Sequence, residues 1–172
     1  MRLFIFLLVS MAAGFQQIYA IIRPYSSEKV LSFIFTNLPK HGTLLQDEKG
    51  MVYISIDNNY IHKLIEFIRE EGFEIPPYFG TGLHGAHITV VTVEEAALHT
   101  VGTILEHGQR VRFEPKECQV VHPPAWAEGD LAYLITIEAP FLDELRQKYG
   151  LPKSRYDFHI TIGVKRTGVT AA

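Results

Sequence analysis

The chain has 172 residues, 47% of them hydrophobic and 20% charged, enough for one domain with a real core and too apolar for an intrinsically disordered chain. Lys and Arg number 16 against 19 Asp and Glu, a net charge of −3, so strong non-specific binding of nucleic acid, which needs cations to displace counterions, is disfavoured. One cysteine excludes an internal disulfide framework and a cysteine-based structural zinc site.

Residues 1–20 hold 15 apolar side chains and one charge, Arg2. A basic start, a short apolar centre and a small residue at Ala20 read as a signal peptide, which predicts a secreted or periplasmic protein. Membrane attachment follows only if that segment stays uncleaved. The rest, 21–172, reads as one domain and a monomer. Residues 21–50 carry no decisive pattern, and 30–35 fits a strand or a short helix. Residues 51–56 predict a strand, with Asp57-Asn58-Asn59 as caps. Ile61, Leu64, Ile65 and Ile68 then share one helical face that stops at Gly72. A Gly-rich loop, 80–85, leads into a strand at 87–91. Thr92 and Glu95 have capping-box spacing, and Ala97, Val101, Ile104 and Leu105 continue that helix to Gly108. Residues 110–113 and 119–121 read as strands around Pro115, and 131–137 as another. Pro140 opens a helix with Leu142, Leu145 and Tyr149 that ends at Gly150. Residues 157–164 form the last strand. Cys118, in a strand-like stretch, reads as a small buried hydrophobe.

The pattern repeats internally. Residues 51–56 resemble 131–137, and each is followed by an amphipathic helix, a loop and a closing strand. The closing strands read His87-Ile88-Thr89-Val90 and His159-Ile160-Thr161-Ile162. The chain therefore divides into two strand–helix–strand units, about 51–93 and 130–164. In a strand, residues i and i+2 share a face, so each unit turns an imidazole and a hydroxyl one way and two apolar side chains the other. Two such pairs meeting in one cleft suit acid–base chemistry at phosphorus. One imidazole takes a proton from water and the other gives one to the leaving alkoxide. The hydroxyls hold phosphate oxygens. No metal or cofactor is required. A third His-x-Thr, at His41-Gly42-Thr43, lies in a Pro/Gly-rich loop and is read as incidental.

The twin motif resembles the two-histidine phosphoesterase superfamily, which includes 2′,3′-cyclic nucleotide phosphodiesterases and 2′-5′ RNA ligase-like proteins. That resemblance implies an α+β, bilobal, pseudo-twofold fold, with two antiparallel sheets flanking a central cleft and helices outside. It implies metal-independent hydrolysis of a 2′,3′-cyclic nucleotide or a related cyclic phosphate or RNA-end phosphodiester. By position, His87 and His159 would be the acid/base pair, and Thr89 and Thr161 the phosphate holders. The motif leaves open which histidine is the base. Tyr78 and Phe79, before the first motif, are candidates to stack on a base. Lys153, Arg155 and Tyr156, before the second, are candidates to hold phosphate or substrate. The acidic charge favours a small nucleotide or short RNA end. Two other readings compete. One is a non-catalytic nucleotide-binding or interaction module of the same fold. The other is a metal-dependent hydrolase using His84 and His87. His62, His99 and His107 read as surface residues, and Trp126 as a loop plug. Neither a Gly-x-Ser-x-Gly elbow nor a Walker-type loop is present.

Overall fold

Alternating apolar segments become strands because that period turns one side of each strand to the core, and they join into one sheet. The computed structural model describes residues 24–80, 82–124 and 126–166. The expected signal segment, 1–20, lies outside them. In chain order the elements are α1 (Ser27–Asn37), β1 (His41–Gln46), β2 (Val52–Ser55), α2 (Asn59–His62), α3 (Ile65–Ile68), a 3-10 turn (Arg69–Glu71), β3 (His87–Val91), α4 (Val93–Leu98), β4 (Arg110–Arg112), β5 (Glu114–Val121), β6 (Leu131–Glu138), α5 (Pro140–Lys148) and β7 (His159–Lys165). The strand order is β4-β1-β2-β3-β7-β6-β5, with antiparallel pairing throughout. Among the described residues no helix is long and apolar enough to cross a membrane.

The α+β class holds, but two sheets flanking a cleft are replaced by one seven-stranded sheet. Both closing strands lie side by side, and β3 pairs with β7 through Ile88 and Ile160. The joint is short because another segment takes the same edge further along. Glu74 and Val164 exchange two backbone hydrogen bonds, at 2.8 and 2.9 Å. Gly163 permits this approach: a Cβ there would sit 2.6 Å from Ile68 Cδ1 and 3.1 Å from Phe73 Cβ.

Ile88, Val90, Ile160 and Ile162 are buried, each contributing about 1.5–3 kcal/mol by leaving water. The helices cover these strands crosswise. Both α2 and α3, which follow β2, lie against β7, while α5, which follows β6, lies against β3. Each unit's helix therefore packs on the other unit's closing strand.

Several elements differ from the sequence expectation. Residues 27–37 settle as a helix, with Val30 and Ile34 buried. The first amphipathic helix is broken into α2, α3 and the 3-10 turn, and ends at Gly72, whose φ is +84°. His41-Gly42-Thr43 is not a loop but the start of β1. Its glycine is needed there, because a Cβ would lie 2.4 Å from the Ser55 carbonyl oxygen. The helix expected to run to Gly108 stops at Leu98. Thr100 takes a left-handed φ of +54°, and Leu98 and Leu105 are 79% and 84% exposed, so the helical spacing of apolar residues there is not a buried face. The Thr92–Glu95 capping box is present in full. Pro115 lies within β5, a sheet edge, where its missing N–H costs least, and the register shifts between Pro115 and Cys118.

One polar cluster ties the elements together. Arg146 of α5 is 2% exposed. Its Nη2 donates to Glu95 Oε1 at 2.6 Å and Nη1 to Glu95 Oε2 at 3.2 Å. Nη1 also donates to the Val90 carbonyl at 2.6 Å, and Nε and Nη2 to the Pro152 carbonyl at 3.1 and 3.0 Å. One guanidinium thus joins α5, the start of α4, the end of the first motif and the loop leading to the second. The hydrogen bond from Arg146 outweighs burial and holds the Glu95 carboxyl below the usual carboxylate range. A carboxyl lowered on folding contributes its stability above the unfolded pKa and loses it as pH falls through the folded one. Glu95→Ala, which leaves the arginine buried and unpaired, is expected to cost about 3–5 kcal/mol in chemical denaturation, and Arg146→Met less. Equal, negligible losses would contradict this role.

Candidate functional site

The antiparallel register about Ile88 and Ile160 sets His87 across from Thr161 and Thr89 across from His159. All four side chains emerge on the same, half-buried face. The two imidazoles are diagonal neighbours, a placement with strand positions about 7–8 Å apart. This is the convergence the repeated motif predicts, reached within one sheet.

The backbone orients both rings in the same way. His87 Nδ1 lies 2.8 Å from the Gly85 carbonyl oxygen, and His159 Nδ1 lies 2.8 Å from that of Asp157. A carbonyl only accepts, so each Nδ1 donates, and Nε2 is left to take or give a proton. The strand entries match as well. Ile56 N–H donates to the Ala86 carbonyl, and Ile137 N–H to that of Phe158. In the first unit Asn58 adds a clamp: its Oδ1 accepts from Ala86 N–H at 3.0 Å. Gly85 has φ +67°, and a Cβ there would meet Asn58 Oδ1 at 2.6 Å.

The strand pairs repeat in register too. Tyr53 pairs with Thr89 and Ser55 with His87, while Leu134 pairs with Thr161 and Thr136 with His159. Each ladder shifts by one residue just past the motif threonine, at Val90 and at Ile162. Tyr53 therefore corresponds to Leu134 and not to Tyr133, which aligns with it by sequence. Tyr133 is buried, with its hydroxyl 3.0 Å from Ser26 Oγ.

Burial, then the neighbouring imidazoles of His84 and His159, pushes His87 below the ordinary histidine range, although the Gly85 carbonyl opposes the shift. Burial also lowers His159, opposed by the carbonyl and carboxylate of Asp157. Both rings are thus biased toward the neutral form. Burial raises the Tyr78 hydroxyl to about 12.

The other candidates divide. The Tyr78 ring lies 5.2 Å from His87, edge-on, and its hydroxyl donates to the Thr161 carbonyl at 3.4 Å. It touches both motifs. Phe79 packs 4.8 Å from His62 and lines a cavity of about 630 Å³ with Ser55, Asn58 and His84. Arg155 and Tyr156 line another cavity, of about 440 Å³, which reaches His159 and Thr161. Its remaining wall is mainly apolar and includes Val121, Pro123, Trp126 and Leu134. Tyr156 is 48% exposed, with Arg155 over its ring at 5.5 Å. Lys153 lines a neighbouring cavity with Lys116, Glu138, Asp143 and Tyr156, one that His159 does not line. Two neighbours of the site, Tyr53 and Asp47, are not among the sequence candidates, and Trp126 sits where its reading as a loop plug does not place it. Tyr53 lies 5.9 Å from His87, edge-on, and strand alternation in 51–56 could have found it. Trp126 lines the His159 cavity instead of only plugging a loop, and Arg166 stacks on it at 4.1 Å. Asp47, bonded to His84, carries no sequence signal. Among the described residues no three or more His, Cys, Asp or Glu side chains gather as a metal-ligand set.

A central strand pair that presents two His-x-Thr pairs on one face defines a phosphoesterase of the two-histidine type. A scan against family models matches residues 52–170 to the Swiss Army Knife 2H phosphoesterase domain, and the chain belongs to that family. Searches of curated proteins and of solved structures find no match. The matched span contains both motifs, and membership supports a phosphoesterase-type, hydrolytic function.

The clamp at the first motif is testable. Gly85→Ala forces a side chain into left-handed backbone and against Asn58, and is expected to cost about 1–2 kcal/mol of stability, read by thermal or urea unfolding. A variant as stable as the parent would show that the loop relaxes freely.

Proposed function

We propose that this protein is a metal-independent phosphodiesterase acting on a 2′,3′-cyclic nucleotide or a related small cyclic phosphate or RNA-end phosphodiester. The observation that carries the reading is the diagonal placement of His87 and His159 across one strand pair, each ring tied by Nδ1 to the carbonyl two residues before it. One Nε2 takes a proton from water as its oxygen attacks phosphorus. The P–O bond to one ribose oxygen breaks, and the other ring, protonated, gives its proton to that oxygen. The product is a phosphomonoester with a free hydroxyl. Thr89 and Thr161, across the strands from the two rings, hold the non-bridging oxygens.

The cavity beside His159 supports a nucleotide-sized substrate. At about 440 Å³ it matches a small-ligand site, and its wall of Trp126, Tyr156, prolines and Leu134 suits a heterocyclic base, with Arg155 at hand for an anionic oxygen. We further propose export through residues 1–20. N-terminal sequencing of the mature protein from its own host is expected to begin after Ala20, and retention of Met1 would refute export by cleavage.

The decisive assay measures turnover of 2′,3′-cyclic mononucleotides in excess EDTA. Activity is expected to persist, and His87→Ala and His159→Ala are each expected to lower kcat by about 10²–10⁴-fold. Dependence on added metal, or full activity in either variant, would overturn the mechanism. Nucleotide binding without turnover would favour the binding module. Because both rings titrate below the ordinary histidine range, kcat/KM is expected to trace a bell whose maximum lies on the acid side of pH 6.5. A rate rising steadily from pH 5 to 9 would contradict two essential imidazoles.

A further inference from the structure

The first motif has a third imidazole beside it, and the second does not. His84 stands three residues before His87, at the place where Tyr156 precedes His159. Its ring centroid lies 5.8 Å from that of His87 and 4.8 Å, edge-on, from that of Tyr53. Its Nε2 meets Asp47 Oδ2 at 3.1 Å. The turn between β1 and β2 fixes Asp47 in turn: Oδ1 accepts the N–H groups of Lys49 and Met51, each at 2.9 Å. Burial alone would raise the Asp47 carboxyl, but the His84 and backbone hydrogen bonds outweigh it and hold it below the usual range. It is therefore an anion near neutral pH.

Two neighbouring imidazoles compete for protonation, because each cation disfavours the other. Here the competition is biased: His84 faces a fixed carboxylate, whereas His87 faces a carbonyl through Nδ1 and the rings of Tyr53, Tyr78 and His84. From β7, His159 adds another potential cation, and its own neighbour is Asp157. We propose that His84, pinned by Asp47, is a positioning residue of the phosphoester site whose place beside His87 disfavours a proton on that ring and so keeps His87 neutral and ready to accept one. The proposal rests on the two-histidine reading above and adds an asymmetry to it. The first motif is poised as acceptor, which leaves the donor role to His159.

The test compares His84→Gln, which removes the charge, with His84→Lys, which keeps a cation opposite Asp47. In His84→Gln the acid limb of the kcat/KM profile is expected to move up by about 0.5–1 pH unit, so that activity falls first at low pH. In His84→Lys the limb is expected to stay near its original place. NMR titration of the His87 ring reads the same coupling without turnover, and its midpoint is expected to rise in His84→Gln only. An unmoved limb and midpoint in His84→Gln, or identical behaviour of the two variants, overturns the proposal. If the parent protein turns over no cyclic phosphate, the catalytic reading fails, while the His87 titration still decides whether His84 governs its charge. A purely structural role would lower thermal stability in both variants and leave the midpoint where it is.

Discussion

Everything at the site depends on how β3 meets β7. Pairing Ile88 with Ile160 in antiparallel register is what puts two imidazoles and two hydroxyls on one face and four apolar side chains on the other. A slip of one residue in either strand would turn its histidine into the core and its isoleucine out to solvent. The cost of burying an imidazole in place of a branched aliphatic chain enforces the register, so the same apolar packing that holds the sheet together also aligns the two His-x-Thr pairs. The crosswise helices strengthen this arrangement. Because α5 rests on β3, and α2 and α3 rest on β7, neither unit completes its core without the other.

The ion pair of Arg146 and Glu95 extends that dependence to the loops. The guanidinium reaches the Val90 carbonyl at the end of the first motif and the Pro152 carbonyl before the second. The loop carrying Arg155 and Tyr156 is therefore fastened to the opposite unit by one buried guanidinium. Such a link suits a site built from two halves, since its geometry fails if either half drifts by an ångström.

Much of this was legible in the sequence. His87, Thr89, His159 and Thr161 stand out because strand alternation is a strict period of two, and because the same four-residue pattern occurs twice. The ends at Gly72 and Gly150 and the box at Thr92 and Glu95 were legible because they are local backbone chemistry. What was not legible depends on distant residues. The joining of the strands into one sheet rests on a single cross-unit pair. The strand at His41 looked like a loop because Gly42, a poor strand former, is required by the nearby Ser55 carbonyl. The run from Ala97 to Leu105 has helical spacing, but the chain turns at Thr100, so Ile104 is buried and Val101 packs against the core while Leu98 and Leu105 face solvent. Lys153, close in sequence to the second motif, lines a different cavity from His159, while Asp47, 40 residues before His87, stands beside it through His84.

The bulges at Val90 and Ile162 bear on how such a site can change over time. Each lies one residue past a motif threonine, where the ladder skips a position. A bulge sets two residues of one strand against one of its partner, so an extra residue is taken up there without changing the pairing before it. A residue gained or lost beyond Val90 or Ile162 can be absorbed there without inverting the imidazoles. The four-residue motif is thus insulated from the strand that continues it, and the two halves of the chain are free to diverge outside those few positions.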